Sequence, residues 1–207
     1  LTFPSTPLRA AKGITVSVGL PLTREIEQLA ARPGGRRAVR RECAARFGLN
    51  PDEPIMLITG GSSGAQHLNE VFSEAAADIR AAGIQVIHVT GRDKDAPVRE
   101  AAPDAGYVVL DYLDDMESAY AAADLAVSRA GAGMVAELSA LGLPAVFVPL
   151  PIGNGEQALN AKDLTRMSCA SASSRSSRAP RSRKCPSDPR ESRLSMPRAA
   201  LPESPCT

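Results

Sequence analysis

Short apolar runs recur along the chain, and stretches with helical spacing separate them. Ile14–Val18 is a β-branched run and predicts a strand. Ile55–Thr59 is continuously apolar, as a strand buried on both faces must be. Further strands are expected at Gln85–Thr90, Tyr107–Asp111, Asp124–Ser128 and Ala145–Leu150, the last giving way to a loop after Val148. Leu22–Phe47 is rich in Arg, Ala and Glu and predicts one or two helices, broken near Pro33-Gly34-Gly35. From Ala65 to Ala82, apolar residues Leu68, Val71, Phe72, Ala75 and Ile79 fall on one helical face. Helices are also predicted at Lys94–Ala102, Met116–Ala123 and Gly131–Leu141, with another beginning at Glu156–Leu164. Strands alternating with helices over short connections predict an α/β fold, a parallel sheet covered on both faces. Ligands of such sheets bind beyond the carboxyl ends of the strands, just after Thr59, Thr90, Asp111, Ser128 and Leu150.

The periodicity stops near Leu164, and composition shows why. Residues 1–164 carry 15 Lys and Arg against 20 Asp and Glu, whereas residues 165–207 carry 9 against 3. The formal charge of +1 therefore averages an acidic part and a basic one. The second part holds 11 Ser, 6 Pro and 8 Arg and no aromatic residue, so it cannot bury enough surface to offset its ordering entropy. We expect a disordered tail there, or an out-of-frame translation of a GC-rich gene, in which Arg, Ser, Pro and Ala dominate. A basic tail could meet an anionic membrane surface, but without aromatics to stack on bases no nucleic-acid partner is expected. No apolar run approaches the roughly 18 residues of a membrane span, and no signal peptide is evident. The first residue is Leu1, so the sequence reads as a fragment or a processed chain. Cys43 is the sole cysteine before the tail, which excludes a disulfide framework in that part.

Candidate chemistry clusters where strands end. Gly60-Gly61-Ser62-Ser63-Gly64 joins a buried strand to a helix. Such a turn exposes backbone N–H groups at the positive end of the helix dipole, a site for phosphate or diphosphate, although a serine-capped tight turn reads the same way. No lysine follows, so a nucleotide-hydrolysing loop is disfavoured. Ser128-Arg129-Ala130-Gly131-Ala132-Gly133 repeats the arrangement, and Glu137 follows within two turns of helix. A carboxylate there can accept hydrogen bonds from a ribose diol, or simply favour the helix N-terminus. The loop Pro149–Gln157 offers amides, which suit sugar hydroxyls. Asp114-Asp115 is expected to cap the next helix rather than bind metal or exchange protons. His67 and His88 are expected to be structural.

These motifs together, GGSSGA and then DYLDDMESAYAAADLAVSRAGAGMVAELSALGLPAVFVPLPIGNGEQALNA, resemble the C-terminal domain of the MurG family of peptidoglycan N-acetylglucosaminyltransferases. The similarity runs from about Val18 to Ala161. It implies the Rossmann-like, donor-binding C-terminal lobe of a two-domain GT-B glycosyltransferase, here incomplete. It further implies transfer of N-acetylglucosamine, with inversion, from UDP-N-acetylglucosamine to a lipid-linked muramoyl pentapeptide at the cytoplasmic face of the plasma membrane. The alternatives are another UDP-sugar transferase of this architecture and a non-catalytic nucleotide-binding module. By resemblance, Ser62 contacts the diphosphate region within a phosphate loop of Gly60, Gly61, Ser63 and Gly64. Leu113 reads the uracil through its backbone, and Arg129 lies near the phosphates. Ala132, Gly133, Met134, Val135 and Ala136 form the diphosphate-binding helix start, Glu137 takes the ribose, and Gln157 contacts the sugar hydroxyls. No metal, no cofactor and no catalytic residue is implied within these residues. The family's usual arginine after a Gly-x-Pro-x segment is replaced by Thr23, with Arg24 one place later. The acceptor site and the general base are expected in an N-terminal domain outside the sequence, and the chain alone is expected not to turn over.

Overall fold

A computed structural model describes residues 12–14, 16, 19–61, 65–150 and 155–162. The strands are β1 (Ile55–Thr59), β2 (Gln85–Val89), β3 (Tyr107–Leu110), β4 (Leu125–Ser128) and β5 (Ala145–Phe147). The helices are α1 (Arg24–Ala31), α2 (Arg40–Arg46), α3 (Gln66–Glu74), α4 (Ala76–Ala81), α5 (Ala96–Ala101), α6 (Met116–Ala122) and α7 (Ala132–Leu141), with a 3₁₀ turn at Gly35–Ala38. Residues 156–162 are also helical. All strand pairings are parallel, and the order is β3-β2-β1-β4-β5. The chain builds outward from β1 to β3, then returns through α6 to lay β4 on the other side of β1. That reversal leaves a crevice at the carboxyl ends of β1 and β4.

Alternation along the strands explains the two cores. Ile55, Leu57, Ile87, Val89 and Ala126 face one side, under α1, α2, α6 and α7. Met56, Ile58, Val86, Val109 and Val127 face the other, under the α3, α4 and α5 helices. Every residue of β1 and β2 is buried, as the continuous apolar runs require. In α6, Ala119, Ala121 and Ala122 are almost fully buried, and so is Ala123 after it. Their small side chains let the helix lie close to β1 and α2. At the other end of the sheet, Asp124 ties β4 to β1. Its N–H donates to the Ile55 carbonyl at 2.8 Å, and its carboxylate accepts from Ile55 N–H at 2.9 Å and from Arg40 at 2.6 Å.

Several expectations shift. The single helix expected over Ala65–Ala82 is interrupted at Ala75, where α3 gives way to α4. The Ser73 hydroxyl donates to the Asn69 carbonyl at 2.7 Å, a back-bond that bends helices. β5 is shorter than expected and ends at Phe147. Asp115 occupies the N-cap position of α6 without capping a backbone N–H. Its carboxylate instead accepts from the Ser118 hydroxyl at 2.9 Å and pairs with Arg46 at 2.7 Å. Ile14 and Val16 are not in a strand, and the rest of that expected strand lies outside the described residues. So do Ser62, Ser63, Gly64 and all residues from 163 onward, the expected 165–207 tail among them.

Candidate active site

The crevice predicted by the strand order contains a cleft of about 370 Å³, within the range of small-ligand sites. Thr59, Gly60 and Gly61 close it from the end of β1, and Val89 and Gly91 from the end of β2. The β3–α6 connection contributes Tyr112 and Leu113, and α6 contributes Met116 and Tyr120. Arg129, Gly131, Met134 and Glu137 come from the β4–α7 turn, and Gln157 from the helix over 156–162. Gly61 has φ +79, a conformation that glycine adopts without strain and that turns the chain away from β1.

Charge is distributed unevenly across this cleft. At one side α7 begins at Gly131 with no side-chain cap, so its first N–H groups are unsatisfied by side chains and carry the positive end of the helix dipole. Arg129 stands beside it. One of its Nη atoms donates to the Val148 and Pro149 carbonyls at 3.1 and 3.2 Å, which fixes the guanidinium and the loop after β5 together. Deeper in the cleft, Glu137 Oε2 accepts from the Tyr120 hydroxyl at 2.7 Å. Gln157 Oε1 accepts from Leu150 N–H at 2.9 Å, so the NH₂ end is what it can offer a ligand. Asn160 donates to the Ala130 carbonyl at 3.1 Å and fastens that helix to the β4–α7 turn. At the rim, the Arg92 guanidinium lies 4.1 Å from the centre of the Tyr112 ring. A pocket with a cationic, N–H-rich side, a carboxylate at depth and an amide at the rim can hold an anion joined to a polyol.

Of the residues singled out from sequence, Gly60, Gly61, Leu113, Arg129, Met134, Glu137 and Gln157 line this one cleft. Ala132, Gly133 and Ala136 lie on α7 without lining it, and Val135 points into the core at 2% exposure. Arg24 begins α1, exposed and apart from the cleft. Tyr112, Met116 and Tyr120 were not anticipated. Helical spacing marks Tyr120 as a packing residue, and nothing near it in sequence points to Glu137. His88 is fully buried, between Tyr107 Oη at 3.0 Å and Asn69 Oδ1 at 3.1 Å. Because Asn69 Nδ2 donates to the Thr90 carbonyl, its oxygen accepts from His88 Nε2–H, and the Tyr107 hydroxyl lies between His88 Nδ1 and the Phe72 carbonyl, 3.3 Å away. His67 is exposed.

A family model described as the glycosyltransferase family 28 C-terminal domain matches residues 55–181. The chain belongs to that family. A relative from Nocardioides sp. is 51% identical over 164 residues, covering 78% of this chain and 42% of the relative. One from Streptomyces avermitilis is 48% identical over 167 residues, covering 80% and 44%. Both are named UDP-N-acetylglucosamine--N-acetylmuramyl-(pentapeptide) pyrophosphoryl-undecaprenol N-acetylglucosamine transferase. The crystal structure of Acinetobacter baumannii MurG superposes with a TM-score of 0.54 at 30% identity, covering 76% of this chain and 43% of that one. The chain thus spans less than half the length of these relatives. Its parallel sheet is the Rossmann-like lobe expected of a family 28 C-terminal domain.

Proposed function

We propose that this chain is the donor-binding part of an inverting N-acetylglucosaminyltransferase that uses UDP-N-acetylglucosamine and a lipid-linked muramoyl pentapeptide. The observation that carries the reading is the convergence of Arg129, the open N-terminus of α7, Glu137 and Gln157 on one cleft in a family 28 domain. In this reading Glu137 accepts the ribose hydroxyls, Gln157 meets the sugar, and Leu113 meets the base. The α7 N-terminus and the Gly60-Gly61 turn hold the diphosphate, and Ser62, Ser63 and Gly64, next in sequence, lie outside the described residues.

Transfer joins an acceptor hydroxyl oxygen to the anomeric carbon as the bond from that carbon to the UDP oxygen breaks. UDP departs with the bonding electrons, and a base takes the acceptor proton. Charge grows on the diphosphate as it leaves, and the fixed N–H dipoles of α7 and the anchored Arg129 are already oriented to stabilise it. In the same reading the base and acceptor site lie in the part of the relatives that this chain does not span. The whole enzyme would work peripherally at the cytoplasmic face of the membrane. No helix among the described residues is long and apolar enough to cross one. Calorimetry with UDP-N-acetylglucosamine, UDP-glucose and the corresponding adenine nucleotides tests the site, with uridine-specific binding and no turnover expected. Preference for adenine would overturn the nucleotide assignment, and sugar transfer by the chain alone would overturn its restriction to donor binding.

A further inference from the structure

Tyr120 is 1% exposed, and most of its ring is core. Its hydroxyl nevertheless reaches the cleft, 2.7 Å from Glu137 Oε2 and 3.3 Å from Met134 Sδ. A phenol has one proton to give. A carboxyl oxygen at 2.7 Å is a far better acceptor than a thioether at 3.3 Å, so the proton points at Glu137. Burial above all, and then the hydrogen bond and charge of Glu137, push Tyr120 ionisation well above its ordinary range, which favours the protonated, donating hydroxyl.

The contact has a consequence for the carboxylate. Glu137 is on α7 and Tyr120 on α6, helices separated by β4, so the bond fixes a flexible side chain against a rigid neighbouring element. Oε2 is held from within the core, and Oε1 is left free of Tyr120. An unanchored glutamate would sample several rotamers and lose that freedom when a ligand bound.

We propose that Tyr120 is a positioning residue whose hydroxyl holds the Glu137 carboxylate in the orientation that accepts the vicinal diol of a bound nucleoside diphosphate. This rests on the reading of the cleft as a nucleotide site and adds to it the group that prepares the carboxylate. Removing the hydroxyl frees one rotamer-rich side chain, so Tyr120→Phe should weaken UDP binding about threefold to tenfold.

The test is calorimetric titration of the 207-residue chain with UDP and with 2′-deoxy-UDP. The unmutated chain is expected to bind UDP more tightly than the deoxy analogue, and Tyr120→Phe to reduce that ratio. In a Glu137→Ala background, Tyr120→Phe is expected to have no further effect, because the hydroxyl acts through the carboxylate and alanine leaves no oxygen for it to hold. An unchanged ratio in Tyr120→Phe, or an equal loss of affinity in the Glu137→Ala background, overturns the proposal while leaving the nucleotide site intact. If the unmutated chain binds no UDP, the nucleotide reading falls and this one with it. A second measurement needs no Tyr120 variant: the Tyr120 Cζ resonance should shift on adding UDP and shift less with 2′-deoxy-UDP. Equal shifts from the two ligands also overturn it.

Discussion

His88 offers the sharpest check on the packing of the sheet. Its ring is fully buried between α3 and β3, and both ring nitrogens are used. Burial lowers its pKa from 6.5 to about 4. The folded protein therefore keeps the ring neutral where the unfolded chain protonates it. The stabilisation is fully present above about pH 6.5 and is lost as pH falls toward 4. Between about pH 7.5 and 5, linkage gives a loss of roughly 2 kcal/mol from this one group. With a urea dependence of about 2 kcal/mol per molar, the unfolding midpoint should fall by about 1 M. His88→Gln keeps a side chain that can donate to Asn69 and accept from Tyr107, but it cannot titrate. The assay is urea unfolding followed by far-ultraviolet circular dichroism, on both proteins at both pH values. Carboxylates common to both proteins cancel in the difference. The unmutated chain is expected to lose about 1 M more of midpoint than His88→Gln. Equal losses would show that the ring is not buried neutral in folded protein, and the network drawn around it would be wrong.

Asp124→Ala should cost about 1–2 kcal/mol in the same urea assay, because it frees the Ile55 N–H and leaves Arg40 without its carboxylate. Only the Arg40 share should shrink at high salt, since Asp124 is half-exposed. Gly106→Ala should destabilise by about 1 kcal/mol, because a Cβ there would collide with the Arg80 guanidinium. That guanidinium is held by Asp104 and the Ile84 carbonyl, and thermal melting would show the loss. Native Cys43 should alkylate far more slowly than in urea, since burial raises its thiol pKa and leaves it 8% exposed. Peptide mapping after labelling reads that residue alone.

What the sequence made legible was periodic or local. β1 and β2 could be found because a strand buried on both faces has no polar positions to confuse the pattern. The cleft could be located because parallel strands ending in Gly60-Gly61 and Arg129-Ala130-Gly131 must open on the same edge. The break at Ala75 could not be read, since no Gly or Pro marks it and the nearby Ser73 hydroxyl that bonds back along the helix is not a breaker signal in sequence. Tyr120 was hidden for a different reason. Its ring obeys the core pattern while its hydroxyl serves the cleft, and its partner lies on another helix. The capping role expected of Asp115 failed because Arg46, distant in sequence, is the stronger partner.

The order β3-β2-β1-β4-β5 makes one ladder, β1 against β4, the seam between two half-sheets. Groups from both halves meet over that seam: Gly60, Gly61 and Gly91 from one side, Arg129 and Glu137 from the other. A molecule lying in the cleft would thus act as a clasp across the seam, resisting shear between the halves. Amide exchange along β1 and β4 would then slow together on ligand binding, even at Ile55 and Asp124, on the edge of the sheet farthest from the cleft.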